Sequence, residues 1–187
     1  MPQLVHLEQC FPKLVSAGYE KTSDATADYN CIAWAAHDSH RWWWPEPNSF
    51  WPNWAKREPT IASFAQAFRR LGYRKCSHSR HEFGYEKVAL YAMHSSGLPM
   101  PAKVVINQFE DWEPKHMARQ LSDGTWTSKA GSSEDFTHFT LDAIECFGSQ
   151  TARYGLPIFY MKRLVLISWI VRLIQVARWH FIDRWKY

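Results

Sequence analysis

Hydrophobic residues recur at helical spacing most clearly between Ile61 and Leu71, where Ile61, Phe64, Ala65, Phe68 and Leu71 fall on one face. Thr60 stands where an N-cap belongs, and Gly72 follows Arg69 and Arg70 where a helix closes, so the pattern predicts a helix with these limits. A shorter apolar helix is predicted to begin at Cys31 and end near His37, within Asp28-Tyr29-Asn30-Cys31-Ile32-Ala33-Trp34-Ala35-Ala36, with Asn30 or Asp28 as its cap. Residues 41–54 hold Trp42, Trp43, Trp44, Trp51 and Trp54 among Pro45, Pro47 and Pro52, which forbid a long regular element. Residues 1–27, with Pro2, Pro12 and Gly18, read as a loop-rich lead.

Beyond the second helix the pattern changes to short apolar runs. Lys87–Ala92, residues 104–106 and Ile158–Met161 read as strands. His116–Leu121 and Thr125–Ser128 read as a hairpin around Asp123-Gly124. With a two-residue turn, Gln120 faces Thr127 and His116 shares a face with Thr127 and Lys129. With a three-residue loop and a glycine bulge, Leu121 faces Thr125 and Ser128 joins the face of His116. The polar segment from Met93 to Lys115 is an excursion between strands. Helices followed by an antiparallel sheet predict an α+β domain over residues 1–163.

From Leu164 the chain reads LVLISWIVRLIQVARWHFIDRWKY, without Gly or Pro. Its apolar stretch is shorter than the roughly 20 residues a bilayer span needs, and Arg172 interrupts it. Residues 164–187 are therefore expected to form a helical extension. It packs on the domain or on a second copy, or lies on a membrane surface with Trp169, Trp179 and Trp185 as anchors and Arg172, Arg178, Arg184 and Lys186 near anionic lipid.

Composition narrows the classes. Eleven Trp, eleven Phe and eight Tyr in 187 residues supply ample core and leave rings over to line a groove. The net charge of +4 comes without a Lys/Arg block longer than two residues, so nucleic acid is not an expected partner. Cys10, Cys31, Cys76 and Cys146 are widely spaced, and the N-terminus lacks a basic region followed by an apolar run. Free thiols in the cytoplasm, peripheral to the membrane if the tail docks there, are expected. Cys76, His78 and His81 offer three metal-ligand types, but a fourth ligand is not evident and Arg74, Lys75 and Arg80 sit among them, so neither metal nor cofactor is expected.

The candidate chemistry centres on Cys31. Unpaired N–H groups and the dipole at a helix start favour a thiolate, the nucleophilic form. The plain alternative is a small buried hydrophobe. A thiol nucleophile needs a base, and among nine histidines His116, opening a predicted strand, is the candidate, with a structural histidine at a strand end the equal alternative for the same residue. Asp135 is the candidate third member, with Ser128 its rival. The Cys31 backbone N–H is a candidate oxyanion donor. Asn30, Trp42, Trp43 and Lys129 are candidate substrate contacts, with core packing the alternative for the tryptophans and an exposed strand position for the lysine.

Four motifs stand in order: Tyr-Asn-Cys-Ile-Ala-Trp-Ala (29–35), Trp-Trp-Trp-Pro (42–45), Ala-Arg-Gln-Leu-x-Asp-Gly-x-Trp-Thr-Ser-Lys-x-Gly (118–131) and Glu-Asp-x-x-His (134–138). Together they resemble a bacterial domain family of unknown function, over roughly residues 10–163. The resemblance implies a papain-like cysteine-peptidase fold. The order of Cys-helix, His-strand and polar residue is also similar to cell-wall endopeptidases and lecithin:retinol acyltransferase-like proteins. It implies Cys31 as nucleophile, His116 as base and Ser128 or Asp135 as the polar third. The expected activity is amide cleavage or acyl transfer on a peptide, amide or acyl substrate. The alternative is a non-catalytic interaction module that docks a protein or membrane through residues 164–187.

Overall fold

The computed structural model describes residues 4–96, 109–147, 154–166 and 173–174. It is a mixed α+β protein around one seven-stranded antiparallel sheet. The strands are β1 (Tyr19–Lys21), β2 (Arg74–Cys76), β3 (Tyr85–His94), β4 (Trp112–Gln120), β5 (Trp126–Lys129), β6 (Asp135–His138) and β7 (Leu156–Leu164), in the order β1-β6-β5-β4-β3-β7-β2. The expected strand at residues 104–106 lies outside the described residues, as does nearly all of the tail beyond Leu166. Leu164 itself ends β7.

Helix α3 (Cys31–Ala35) and helix α4 (Ile61–Arg70) form where the sequence predicts them, and for the predicted reason. The Asn30 side chain accepts from the Ala33 N–H, and the Thr60 side chain accepts from the Ser63 N–H. The lead differs from expectation. Helix α1 (Leu4–Cys10) and helix α2 (Lys13–Ala17) precede β1, with Pro12 capping α2 and Gly18 at φ +80 turning the chain into the strand. Pro and Gly here punctuate short elements instead of excluding them. At the central hairpin Leu121 N–H donates to Thr125 O and Gly124 takes φ +93, so the three-residue loop is the one formed.

The register divides the sheet into two faces. Gln120 pairs with Trp126, Trp126 with His138, Ser128 with Phe136, and Tyr91 with His116, which puts all of these on one face. There α1 and α2 cover Ala89, Tyr91, Ala118, Trp126 and Phe136 with Leu7, Phe11 and Leu14. The opposite face carries Val88, Leu90, Met117, Arg119, Thr127, Lys129 and Asp135. It is covered by α3, α4 and the tryptophan-rich segment. All four cysteines are free thiols. No helix among the described residues is long and apolar enough to cross a membrane.

Candidate functional site

Cys31 opens α3, which lies against both β4 and β5. The last paired positions of β4 and β5 toward this end are Arg119 and Thr127, and the sulfur sits beyond them against the β4 backbone. Burial pushes the thiol up to about 11. The N–H groups of Met117, Ile32 and Cys31 itself, and the Lys129 ammonium, pull the other way without overcoming it. The expectation that a helix start yields a thiolate is therefore corrected. A five-residue helix has a small dipole, and loss of water outweighs it. The resting sulfur is a neutral thiol, 6% exposed.

His116 lies on β4 one residue from Met117, with its side chain on the face opposite the body of α3. Its ring is fully buried, stacked on Tyr154 with 4.0 Å between centroids, and meets Tyr91 edge-on. Its Nε2 is 3.1 Å from Ser128 Oγ, and Ser128 Oγ is 3.0 Å from His138 Nε2. His138 Nδ1 lies 2.8 Å from Thr140 O. Burial holds His116 well below 6.5, helped by His138, and brings His138 down to about 4 against the bond to Thr140 and the charge of Asp142. Both rings are neutral at pH 7.

These bonds assign every proton in the chain. A carbonyl oxygen only accepts, so His138 carries its proton on Nδ1 and offers a lone pair at Nε2. Ser128 must donate its hydroxyl proton to that lone pair. Its oxygen then accepts from His116, whose proton is on Nε2. His116 Nδ1 is left as a bare lone pair, buried and without a hydrogen-bond partner, the thiol of Cys31 included.

Ser128, not Asp135, meets His116. Asp135 Oδ2 accepts from Tyr29 OH at 2.6 Å on the other face. Burial raises the Asp135 pKa, opposed by Tyr29 and Lys129. Lys129 is buried where an exposed lysine was the alternative. It donates to Thr26 O at 2.9 Å and to Ser133 O, and lies 4.9 Å from the centre of the Tyr29 ring. Asn30 fastens the start of α3 to the tryptophan segment, donating to Trp43 O at 2.8 Å. Trp43 is core, 1% exposed, and donates to Asp38 Oδ2 at 2.9 Å, whereas Trp42 is exposed at 37%. Of the candidate substrate contacts, Trp42 alone presents its ring to solvent.

The residues not singled out were His138 and Tyr154. The 134–138 motif contained His138, but only the register of two successive hairpins aims it at Ser128. Cys76, His78 and His81 form no metal cluster, and among the described residues no three ligand-type side chains converge. The Lys87 ammonium holds this loop instead, donating to His78 O at 3.2 Å, Arg80 O at 2.5 Å and Glu82 Oε1 at 2.6 Å.

No curated protein and no solved structure matches the chain. A family model described as a domain of unknown function, DUF7689, matches residues 20–162, and the chain belongs to that family.

Proposed function

We propose that the protein is a papain-like cysteine hydrolase or acyltransferase in which Cys31 is the nucleophile and His116 the base. The observation that carries this reading is the open Nδ1 of His116, at the end of a hydrogen-bonded chain that fixes the ring's tautomer. An imidazole locked with a lone pair on one nitrogen and a donor bond on the other is prepared to take a proton and to spread the resulting charge.

Cys31 Sγ attacks the carbonyl carbon of an amide or ester as its proton passes to His116 Nδ1. The carbonyl π pair moves onto oxygen, which the Cys31 backbone N–H stabilises. Collapse breaks the bond to the leaving group, which takes the proton from Nδ1 and leaves a thioester on Cys31. Water, or a second nucleophile in acyl transfer, attacks the thioester with Nδ1 again accepting the proton; collapse breaks the C–S bond, releases the acid or the transferred acyl product, and returns the proton from Nδ1 to Cys31 Sγ. Ser128 and His138 act as positioning residues through His116. Sulfur and Nδ1 must close to hydrogen-bond distance when substrate binds, as unliganded sites often require.

An active-site acylation assay tests this. With p-nitrophenyl acetate, an acetyl group should appear on Cys31 by peptide mass mapping, and His116→Ala should suppress it by about tenfold or more. Acetylation spread equally over the four cysteines would refute the proposal. The competing reading, an interaction module docking through residues 164–187, is favoured by the exposed Leu166, Leu173 and Ile174 and by the neutral, buried thiol. Unchanged partner-free behaviour on removing residues 167–187, with acylation retained, goes against it.

A further inference from the structure

Phe83 is 97% exposed, more than any other large hydrophobic residue among the described ones. It stands at the tip of a closed turn. Tyr85 N–H donates to Glu82 O at 3.1 Å and Gly84 takes φ +80, so Phe83 and Gly84 are the central pair of a turn that calls for glycine second. Glu82 pins this turn to the sheet through Lys87 at 2.6 Å and Lys162 at 2.5 Å. A fixed backbone therefore displays the ring in water, where it contributes almost nothing to the core.

The turn belongs to one rim of the sheet. Val165 N–H donates to Gly84 O at 2.9 Å and Leu164 pairs with Tyr85, which sets the end of β7 beside it. Leu164 and Leu166 are 48% and 73% exposed there. Arg74 pairs with Lys162 and donates to Arg69 O at 3.1 Å, and Arg163 donates to Leu71 O at 2.9 Å, so the end of α4 lies along the same rim. Arg69, Arg70 and Arg74 are exposed. The carboxylates of the rim, Glu82 and Glu86, are matched by Lys87, Lys162 and Arg163, which leaves the surface cationic. Beyond Leu166 the sequence adds Arg172, Arg178, Arg184 and Lys186 against Asp183. Single exposed apolar residues are ordinary. Three on one rim among cations match an anionic bilayer, where apolar side chains reach the acyl boundary and guanidinium groups stay with the phosphates. A protein partner would need a cleft shaped to the projecting tip, and a bilayer needs none.

We propose that this rim docks the folded domain on an anionic lipid bilayer, with Phe83, Leu164 and Leu166 entering the interface and Arg69, Arg70 and Arg74 on the headgroup phosphates. The surface belongs to the domain itself, not to the tail acting alone, and it is independent of the chemistry assigned to Cys31. Co-sedimentation of the full chain with vesicles tests it, using phosphatidylcholine alone and an equal mixture with phosphatidylglycerol. The chain should partition about tenfold or more strongly onto the mixed vesicles, and added salt should weaken that binding. Phe83→Ser, and Arg69→Ala combined with Arg70→Ala, change exposed positions only and should keep the parent's circular dichroism. Each should lower partitioning by about tenfold. The proposal is overturned if mixed vesicles leave the full chain in the supernatant, or if phosphatidylcholine alone binds it equally. It is also overturned if both variants bind as the parent does, which would assign binding to residues 167–187, or if poly-L-glutamate binds the chain and mixed vesicles do not, which would assign the rim to an acidic polypeptide.

Discussion

Two groups of buried polar side chains lie on the same sheet, one on each face, and they differ in how they are completed. On the α3 side, Glu86 receives His37 at 2.9 Å, Arg163 Nε at 3.1 Å and the Tyr73 hydroxyl, with Arg119 at 3.7 Å. Burial works against the Glu86 carboxylate, but His37, Arg163 and Arg119 hold it well below the usual range. On the other side, His116, Ser128 and His138 form a neutral chain ending in an unused nitrogen. The first group is an ion cluster gathered around one carboxylate whose two oxygens both have partners, which ties β3, β7, the end of α3 and the end of α4 together. The second holds no charge and is left open at one atom. Closure of that kind serves the fold, whereas an open, tautomer-fixed nitrogen costs stability and gains nothing structural.

The sharpest way to break this contrast is to remove the centre of the closed cluster. Glu86→Ala strands Arg163 and Arg119 in the core, and a loss of about 3–5 kcal/mol is expected in urea or thermal unfolding. A loss under about 1 kcal/mol would deny the cluster its structural role.

Acid acts mainly on the open chain. His138 is brought down to about 4 and His116 lies well below 6.5, so the unfolded chain binds more protons than the folded one between those values. Their contribution is fully present above pH 6.5 and declines as pH falls toward 4. The His138 shift alone corresponds to something on the order of 3 kcal/mol. His37, lowered by burial, adds to the same window with the same sign. Stability that stays level from pH 7.5 to 4.5 would mean that these rings are not neutral in the folded protein.

Ser128→Ala is the smaller perturbation. It leaves His116 Nε2–H without an acceptor and His138 Nε2 without a donor, at a cost of about 1–3 kcal/mol. It also unlocks the His116 tautomer, which ¹⁵N chemical shifts of the ring should report. A ring whose proton stays on Nε2 in this variant would show that Ser128 does not set it.

Much of the scaffold could be read from residue order alone. The α4 face, its Thr60 cap and the Asn30 cap of α3 are local signals, and local signals survive folding. The long central strands announced themselves as apolar runs, but β1, β2 and β6 are three or four residues long and become strands only by pairing. The loop at Ser122–Gly124 left two registers open, and one hydrogen bond, Leu121 N–H to Thr125 O, decides which residue shares the face of His116. Cys31, His116 and Ser128 were visible as candidates. The high resting pKa of the thiol was not, because it follows from the burial of the sulfur in the folded core rather than from the motif itself. Glu86 was also hidden, since a glutamate before an apolar run gives no sign that two arginines from distant strands will meet it.

The rate at which iodoacetamide alkylates Cys31, in the parent and in His116→Ala, is the most direct test of the account. At pH 7.5, with fold retention checked by circular dichroism, the variant should react about tenfold or more slowly at Cys31, while the half-buried Cys76 keeps its rate. Equal rates at Cys31 in the two proteins would mean that the imidazole never takes the thiol's proton.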